Sequence, residues 1–233
     1  MILLVFDFDH TIVDGNTDVK ILDVLKNRNV TPCKYDPLTG WTEHMKKIFA
    51  ECKTNGVVQS DMLSVLKELK MTDGMKVLFQ TIRESKSFVK VVVASDSNSW
   101  FIDVLLHHFQ LQDLIDEVHT NPAHWNGNLL DLRRYTTNET CPICPINMCK
   151  SEIVSNARSD NVTCIIYVGD GTNDLCPVLK LDENDIACPR EGYSLSKKIE
   201  KLDIDCSVVS WTCATKIVGC LKERLKECTS HSA

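Results

Sequence analysis

The stretch ILLVFDFDHT, Ile2 to Thr11, decides how the rest of the chain is read. Ile2–Phe6 is an unbroken apolar run that ends in two acids, Asp7 and Asp9. A strand covered on both faces reads this way, and such strands belong to parallel sheets. Two later stretches repeat it. Val89–Ala94 runs into Ser95-Asp96-Ser97, and Cys164–Val168 runs into Gly169-Asp170-Gly171. Helical patterns follow at Ser99–Phe109 and Asn173–Leu179. Alternating strand and helix predicts an α/β fold, a doubly wound parallel sheet with helices on both faces. Ligands bind such sheets beyond the carboxyl ends of the strands, where all three polar clusters fall.

About eighty residues separate the first two strands, far more than one crossover needs. Apolar spacing of three and four predicts helices over Thr17–Asn27, Trp41–Cys52, Met62–Leu69 and Asp73–Arg83, with a break at Pro32, Pro37 and Gly40. We expect residues 15–73 to form a helical cap, and residues 1–14 and 74–228 to form the core. A second insertion, about His119–Thr140, carries Asn126-Gly127 and predicts a small β-hairpin. Beyond it, strands are expected at Asp185–Cys188 and Ser207–Val209, and helices at Ser194–Lys201 and Thr212–Glu227. Thr229–Ala233 is expected to fray.

The 233 residues suffice for a substantial core, and 43% apolar with 25% charged content is ordinary for a globular chain. A net charge of -6 gives no electrostatic reason to expect nucleic acid or an anionic membrane as partner. No apolar run approaches the ~20 residues of a membrane span. The opening MILLVF is too short for a signal-peptide core, which predicts a reducing, cytoplasmic setting with the 12 cysteines as thiols. Most of them sit in apolar runs as small buried hydrophobes. Cys141, Cys144 and Cys149, in CPICPINMCK, differ: C-x-x-C with a third cysteine can bind zinc. No fourth ligand is obvious, although His119 and His124 lie upstream, and a structural loop leading to Lys150 is the plainer reading. Oligomeric state is not legible in the sequence.

Asp7 and Asp9 repel each other, and a cation removes that cost. Mg²⁺ prefers hard oxygen ligands, and Asp170 supplies a third carboxylate from another strand end, followed by Asn173 and Asp174. The glycines around Asp170 would let the backbone approach a ligand closely. A bound phosphate would find Ser95, the N–H groups of the following helix, the point charge of Lys150 and the hydroxyl of Thr11. Taken singly, each is weak: most D-x-D pairs are solvated loop acids and most lysines are surface residues. Their order along the chain carries the signal.

VFDFDHTIVD, ASDSN, Cys149-Lys150 and YVGDGTND resemble the four signature motifs of the haloacid dehalogenase superfamily, in its phosphoserine-phosphatase-like branch. FDFDHTIVDGNTD, SDSNSWFID, TNPA, CPICPINMCK, VGDGTNDLCP and PREGY resemble one eukaryotic family over nearly the whole chain. It contains phosphoethanolamine/phosphocholine phosphatase and pyridoxal phosphate phosphatase, and the SDSN segment is nearer the latter. The resemblance implies a small-molecule phosphomonoesterase. Asp7 would be the nucleophile that carries the phosphoryl group, and Asp9 the general acid and base. Mg²⁺ would be held by the carboxylates of Asp7 and Asp170 and the backbone carbonyl of Asp9. Asp174 would support the metal site and orient Lys150, while Ser95 and Lys150 would hold phosphoryl oxygens. Asp18 and Asp96 would contact the substrate. An acid at the cap entrance suits phosphates that carry a cationic group, such as pyridoxal phosphate, phosphoethanolamine or phosphocholine. For Asp18 the alternative is an acid favoured by a helix N-terminus. Trp41, Met45 and Trp125 are either pocket lining or, as base rates favour, packing. A phosphotransferase using the same aspartyl-phosphate stays open.

Overall fold

The computed structural model describes residues 1–138 and 141–230, without the side chains of 229 and 230. Its strands are β1 (Ile2–Phe6), β2 (Val89–Asn98), β3 (Glu117–Asn121), β4 (Ala123–Asn126), β5 (Leu129–Leu132), β6 (Cys164–Gly169), β7 (Ile186–Pro189) and β8 (Ser207–Val208). The helices are α1 (Thr17–Lys20), α2 (Asp23–Lys26), α3 (Trp41–Thr54), α4 (Gln59–Leu66), α5 (Met75–Glu84), α6 (Ser99–Phe109), α7 (Lys150–Ala157), α8 (Leu175–Val178), α9 (Ser194–Ile199) and α10 (Thr215–Ser230). Six strands form one sheet in the order β3-β2-β1-β6-β7-β8, every neighbouring pair parallel.

β1 is central and fully buried because its side chains feed two cores. Ile2, Leu4 and Phe6 pack on one face with Val91, Val93, Ile166 and Val168. Leu3 and Val5 pack on the other with Val92, Ala94, Ile165 and Tyr167. Each such side chain contributes about 1.5–3 kcal/mol relative to exposure. Helices cover both faces, as the doubly wound reading requires.

The helical insertion joins the first core. Ile48 and Phe49 of α3 and Met62 and Leu66 of α4 belong to the same apolar cluster as Phe6, and Phe49 meets Phe101 of α6 edge-on at 5.8 Å. Several expected bounds shift. Thr17–Asn27 is two short helices, because Leu22 N–H bonds to Val19 instead of four residues back. α4 begins at Gln59, where Asp61 accepts from the Val58 N–H, and not at Met62. β2 runs on through Ser95 to Asn98, with a register shift between those two residues. His119–Asn121 belongs to β3 of the main sheet, so the hairpin is only β4 and β5. Its turn uses Gly127-Asn128, with Gly127 at φ 57°, and not Asn126-Gly127 as the central pair. The end of the expected insertion, residues 139 and 140, lies outside the described residues. α10 runs to Ser230 where fraying was expected from Thr229, and 231–233 likewise lie outside the described residues. Among the described residues no helix is long and apolar enough to cross a membrane.

Candidate active site

Asp7 leaves β1 with its N–H bonded to Val168 O of β6, at 2.9 Å. This fixes the carboxylate at the strand end, where Phe8 N–H donates to Oδ1 at 2.6 Å and Lys150 Nζ stands 3.1 Å from Oδ2. The chain then turns sharply. Phe8 O accepts from Thr11, Ile12 and Val13, and His10 takes a left-handed φ of 54°. Arg190 secures that turn by donating to His10 O at 2.6 Å and to Asp14 at 2.8 Å, with its guanidinium against the rings of Tyr193 and Trp211.

The turn aims Asp9 at the start of α1. Thr17 donates its N–H to Asp9 Oδ1 at 3.0 Å and its hydroxyl to Oδ2 at 3.1 Å. The same hydroxyl lies 2.8 Å from Ser97 Oγ. Burial, then the nearby Asp18 charge, raises the Asp9 carboxyl well above the ordinary range, against the Thr17 N–H.

Asp170 follows β6. Ligand atoms of Asp7, Asp170 and Asp174 lie within 4.8 Å of one another. Burial pushes Asp7 up to about 7, with Lys150 opposing and Asp174 adding to it. Burial and then the charges of Asp7 and Asp174 push Asp170 up to about 8. Asp174 is fully buried and saturated. Oδ1 accepts from Lys150 Nζ and Tyr167 OH, both at 2.7 Å, and Oδ2 accepts from the N–H of Asp170 at 3.0 Å and of Gly171 at 2.8 Å. Burial pulls the Lys150 ammonium down, but Asp174, Asp7 and Asp96 outweigh it and hold it charged. Three formal negative charges against one buried ammonium, on hard oxygen donors, fit a divalent cation.

The glycines of GDG also make room for neighbouring side chains. A Cβ on Gly169 would meet the Asp174 carboxylate at 2.5 Å, and one on Gly171 would meet Asn173 Oδ1 at 2.3 Å. They make room for Asp174 and Asn173, and Gly171 also lines the cleft. Gly169→Ala is therefore expected to displace Asp174, cost about 1–3 kcal/mol of stability and slow turnover. Thermal melts and kcat measured together check this, and an unchanged kcat counts against it.

A cleft of about 250 Å³ joins Asp7, Asp9, Asp18, Ser95, Asp96 and Asp170. Ser95 Oγ accepts from Ser97 N–H at 3.3 Å, which leaves its own proton to give elsewhere. Thr11 is not brought in: it is fully buried, its hydroxyl has no partner, and it does not line the cleft. Lys150, equally buried, does not line the cleft either, so the expected contact of Thr11 with phosphate stays an expectation. Asp96 is gripped by amides, Asn147 Nδ2 at 2.7 Å on Oδ1 and Asn173 Nδ2 at 2.8 Å on Oδ2. Asn121 donates to the backbone carbonyls of Asp96 and Ser97.

Asp18 accepts from Trp41 Nε1 at 2.6 Å and is pushed up to about 6, by burial first, with the Trp41 bond opposing and Asp96 adding. Trp41 and Asp96 also line an adjoining cavity of about 520 Å³, together with Tyr35, Arg134 and Asn147. Tyr35 and His44 each pack against the Trp41 ring, at 5.3 Å. Of the three apolar candidates only Trp41 reaches the cleft. Met45 is buried in the core, and Trp125 stacks edge-on against Trp100 at 5.1 Å. Sequence reasoning missed Thr17, Tyr167, Asn121, Asn147 and Arg190. The last three sit inside TNPA, CPICPINMCK and PREGY, whose polar residues were the available signal.

Human pyridoxal phosphate phosphatase PHOSPHO2 is 37% identical over 240 residues, covering 97% of this chain and 99% of that protein. Human phosphoethanolamine/phosphocholine phosphatase is 30% identical over 241 residues, covering 97% and 90%. A substrate-bound phosphoserine phosphatase structure aligns with a TM-score of 0.62 at 17% identity, over 93% of this chain and 96% of that one, and so shares the fold. Residues 2–225 match the family described as Putative Phosphatase, and the chain belongs to that family of haloacid-dehalogenase-type phosphoric monoester hydrolases.

Proposed function

We propose that the protein is a Mg²⁺-dependent phosphomonoesterase that works through an aspartyl-phosphate on Asp7, with pyridoxal 5'-phosphate as its substrate. The observation that carries the chemistry is the division of labour between the two acids. Asp7 faces Lys150, while both Asp9 oxygens are held by Thr17. An Asp7 oxygen attacks phosphorus as the ester bond breaks, and Asp9 gives its proton to the departing alkoxide. Asp9 then takes a proton from the water that attacks phosphorus, which frees Asp7 and inorganic phosphate. An acid whose proton affinity is raised by burial suits the first of these steps. Lys150, steadied by Asp174, and the Ser95 hydroxyl hold the phosphoryl oxygens. Mg²⁺, held by Asp7, Asp170 and the Asp9 carbonyl, would neutralise charge between nucleophile and phosphate. Residues 15–73 act as a cap, contributing Asp18 and Trp41 to the cleft.

The substrate reading is supported by Asp18 beside the indole of Trp41, an acid and a π face that suit a flat or cationic group. It is also supported by the name of the 37%-identical relative. Phosphoethanolamine or phosphocholine is the second reading, favoured by the same acids and by the 30%-identical relative. A kcat/KM panel over these three esters and phosphoserine, with Mg²⁺, tests the choice. Equal values across the panel would sink the idea of a tuned pocket. Phosphate release short of substrate loss would favour phosphoryl transfer to an alcohol.

Asp18 gives a pH signature. With its carboxyl pushed up to about 6, it is charged above that pH and neutral below it. The kcat/KM ratio of a cationic phosphate to p-nitrophenyl phosphate is expected to fall about tenfold as pH drops through 6, and to be low and flat in Asp18→Asn. Between the ordinary carboxyl value and about 6 the native state binds the extra proton, so this group lowers stability as pH rises. Asp18→Asn is thus expected to melt above the native protein at pH 7.5. A variant with native ratio and native pH profile refutes the assignment.

A further inference from the structure

We propose that Cys141, Cys144, Cys149 and Cys176 form a structural zinc site. Their sulfurs lie within 4.8 Å of one another, with Cys141 to Cys176 at 3.4 Å and Cys149 to Cys176 at 3.9 Å. Tetrahedral Zn–S bonds of about 2.3 Å put sulfurs about 3.8 Å apart, so the four need little movement to close on one ion. Three come from CPICPINMCK. The fourth, Cys176, enters from α8, two residues after Asp174. That residue is the ligand the sequence did not reveal, because topology and not spacing brings it there. His119 is engaged with Tyr135 and Glu117, and His124 faces Asp131 across the hairpin, so neither upstream histidine competes.

Four thiols gathered within 4.8 Å of one another are not explained as small hydrophobes. Cys164, Cys188, Cys206 and Cys220 fill that role in the two cores and the helices over them. Cys141 and Cys144 instead sit half-exposed on a loop with no regular structure, whose Ile143 and Ile146 side chains point into solvent. Residues 141–146 have no buried apolar side chain, and beyond the Asn138 hydrogen bonds to Cys141 and Pro145 they need another reason to hold one shape. The backbone N–H groups of Ile143 and Cys144 turn toward the Cys141 sulfur, the arrangement that steadies a thiolate ligand. Thiolates are soft donors, which selects zinc over the hard cation of the carboxylate site.

The location gives the site a purpose. Cys149 precedes Lys150, Asn147 lies inside the loop and grips Asp96, and Cys176 follows Asp174. One ion would clamp together the two segments that supply the buried Lys150–Asp174 pair, and would fix the wall that holds Asp96.

Elemental analysis of the full chain, purified without chelator from zinc-supplemented cells, is expected to find about one zinc per chain. Cys176→Ser is expected to lower this to below about 0.2, while Cys213→Ser, outside the cluster, keeps it. Should Cys176→Ser fail to fold, the native protein still answers. Titration with an organomercurial is expected to release zinc in step with four thiols, and Co²⁺ in place of zinc is expected to show the visible bands of a tetrahedral thiolate site. Only trace zinc in the native protein, full zinc in folded Cys176→Ser, or a Cys141–Cys176 disulfide in a peptide map would each overturn the proposal.

Discussion

Asp7→Asn is expected to reduce turnover of p-nitrophenyl phosphate by at least about 10⁴-fold while leaving the fold intact, as loss of a nucleophile does in other hydrolases. The amide has the shape of the carboxylate and still accepts the Phe8 N–H, so the strand end keeps its geometry. It cannot attack phosphorus. Stability is not expected to collapse, because burial is already the largest influence on this group and makes its charge costly. Lys150 keeps its shorter contact with Asp174. The check is paired: steady-state rates with Mg²⁺, and a melting curve by circular dichroism. A folded variant within tenfold of native turnover would remove Asp7 as nucleophile.

Asp174→Ala is expected to show the opposite balance, a loss of stability that precedes any question of chemistry. One carboxylate, fully enclosed, satisfies the Lys150 ammonium, the Tyr167 hydroxyl and two backbone N–H groups. Its removal strands the Tyr167 hydroxyl and the Asp170 N–H and leaves the Lys150 ammonium with Asp7 alone. Breaking a buried ion pair from one side costs about 3–5 kcal/mol. For a chain of this size that corresponds to a fall of roughly 10 °C or more in Tm. Asp174→Asn, which keeps an acceptor for the N–H groups but not the charge, is expected to fall in between. Urea denaturation of the three proteins checks the order, and an alanine variant as stable as the native protein refutes this role for Asp174.

The sheet was legible because β1, β2 and β6 are buried on both faces, so their apolar runs carry no competing periodicity. Ser99–Phe109 was legible at its start because Asn98 can cap it, and the structure closes it where Gln110 turns left-handed. What escaped the sequence was set by tertiary contacts. Ser95 to Asn98 has the polarity of a loop, yet β3 pairs alongside and holds it extended. His119–Asn121 looked like the start of an insertion because its apolar content is too low for a central strand, and it lies at the sheet edge. The acids of the cleft were legible as types in an order. The amides that aim Asp96 were not, since Asn121, Asn147 and Asn173 reach it from three separate segments.

The clasp of Arg190 on the His10 carbonyl joins residues 180 positions apart, and the central strand beside it can pair on neither edge until β2 and β6 exist. During synthesis at about 5–20 residues per second, the first strand therefore waits roughly 10–40 s for the segment that locks its turn. Until β2 and then β6 follow, ILLVF is an apolar segment without its partners. High contact order of this kind slows folding and lengthens exposure to aggregation. The feature that makes the site rigid once built also makes it among the last parts of the molecule to exist.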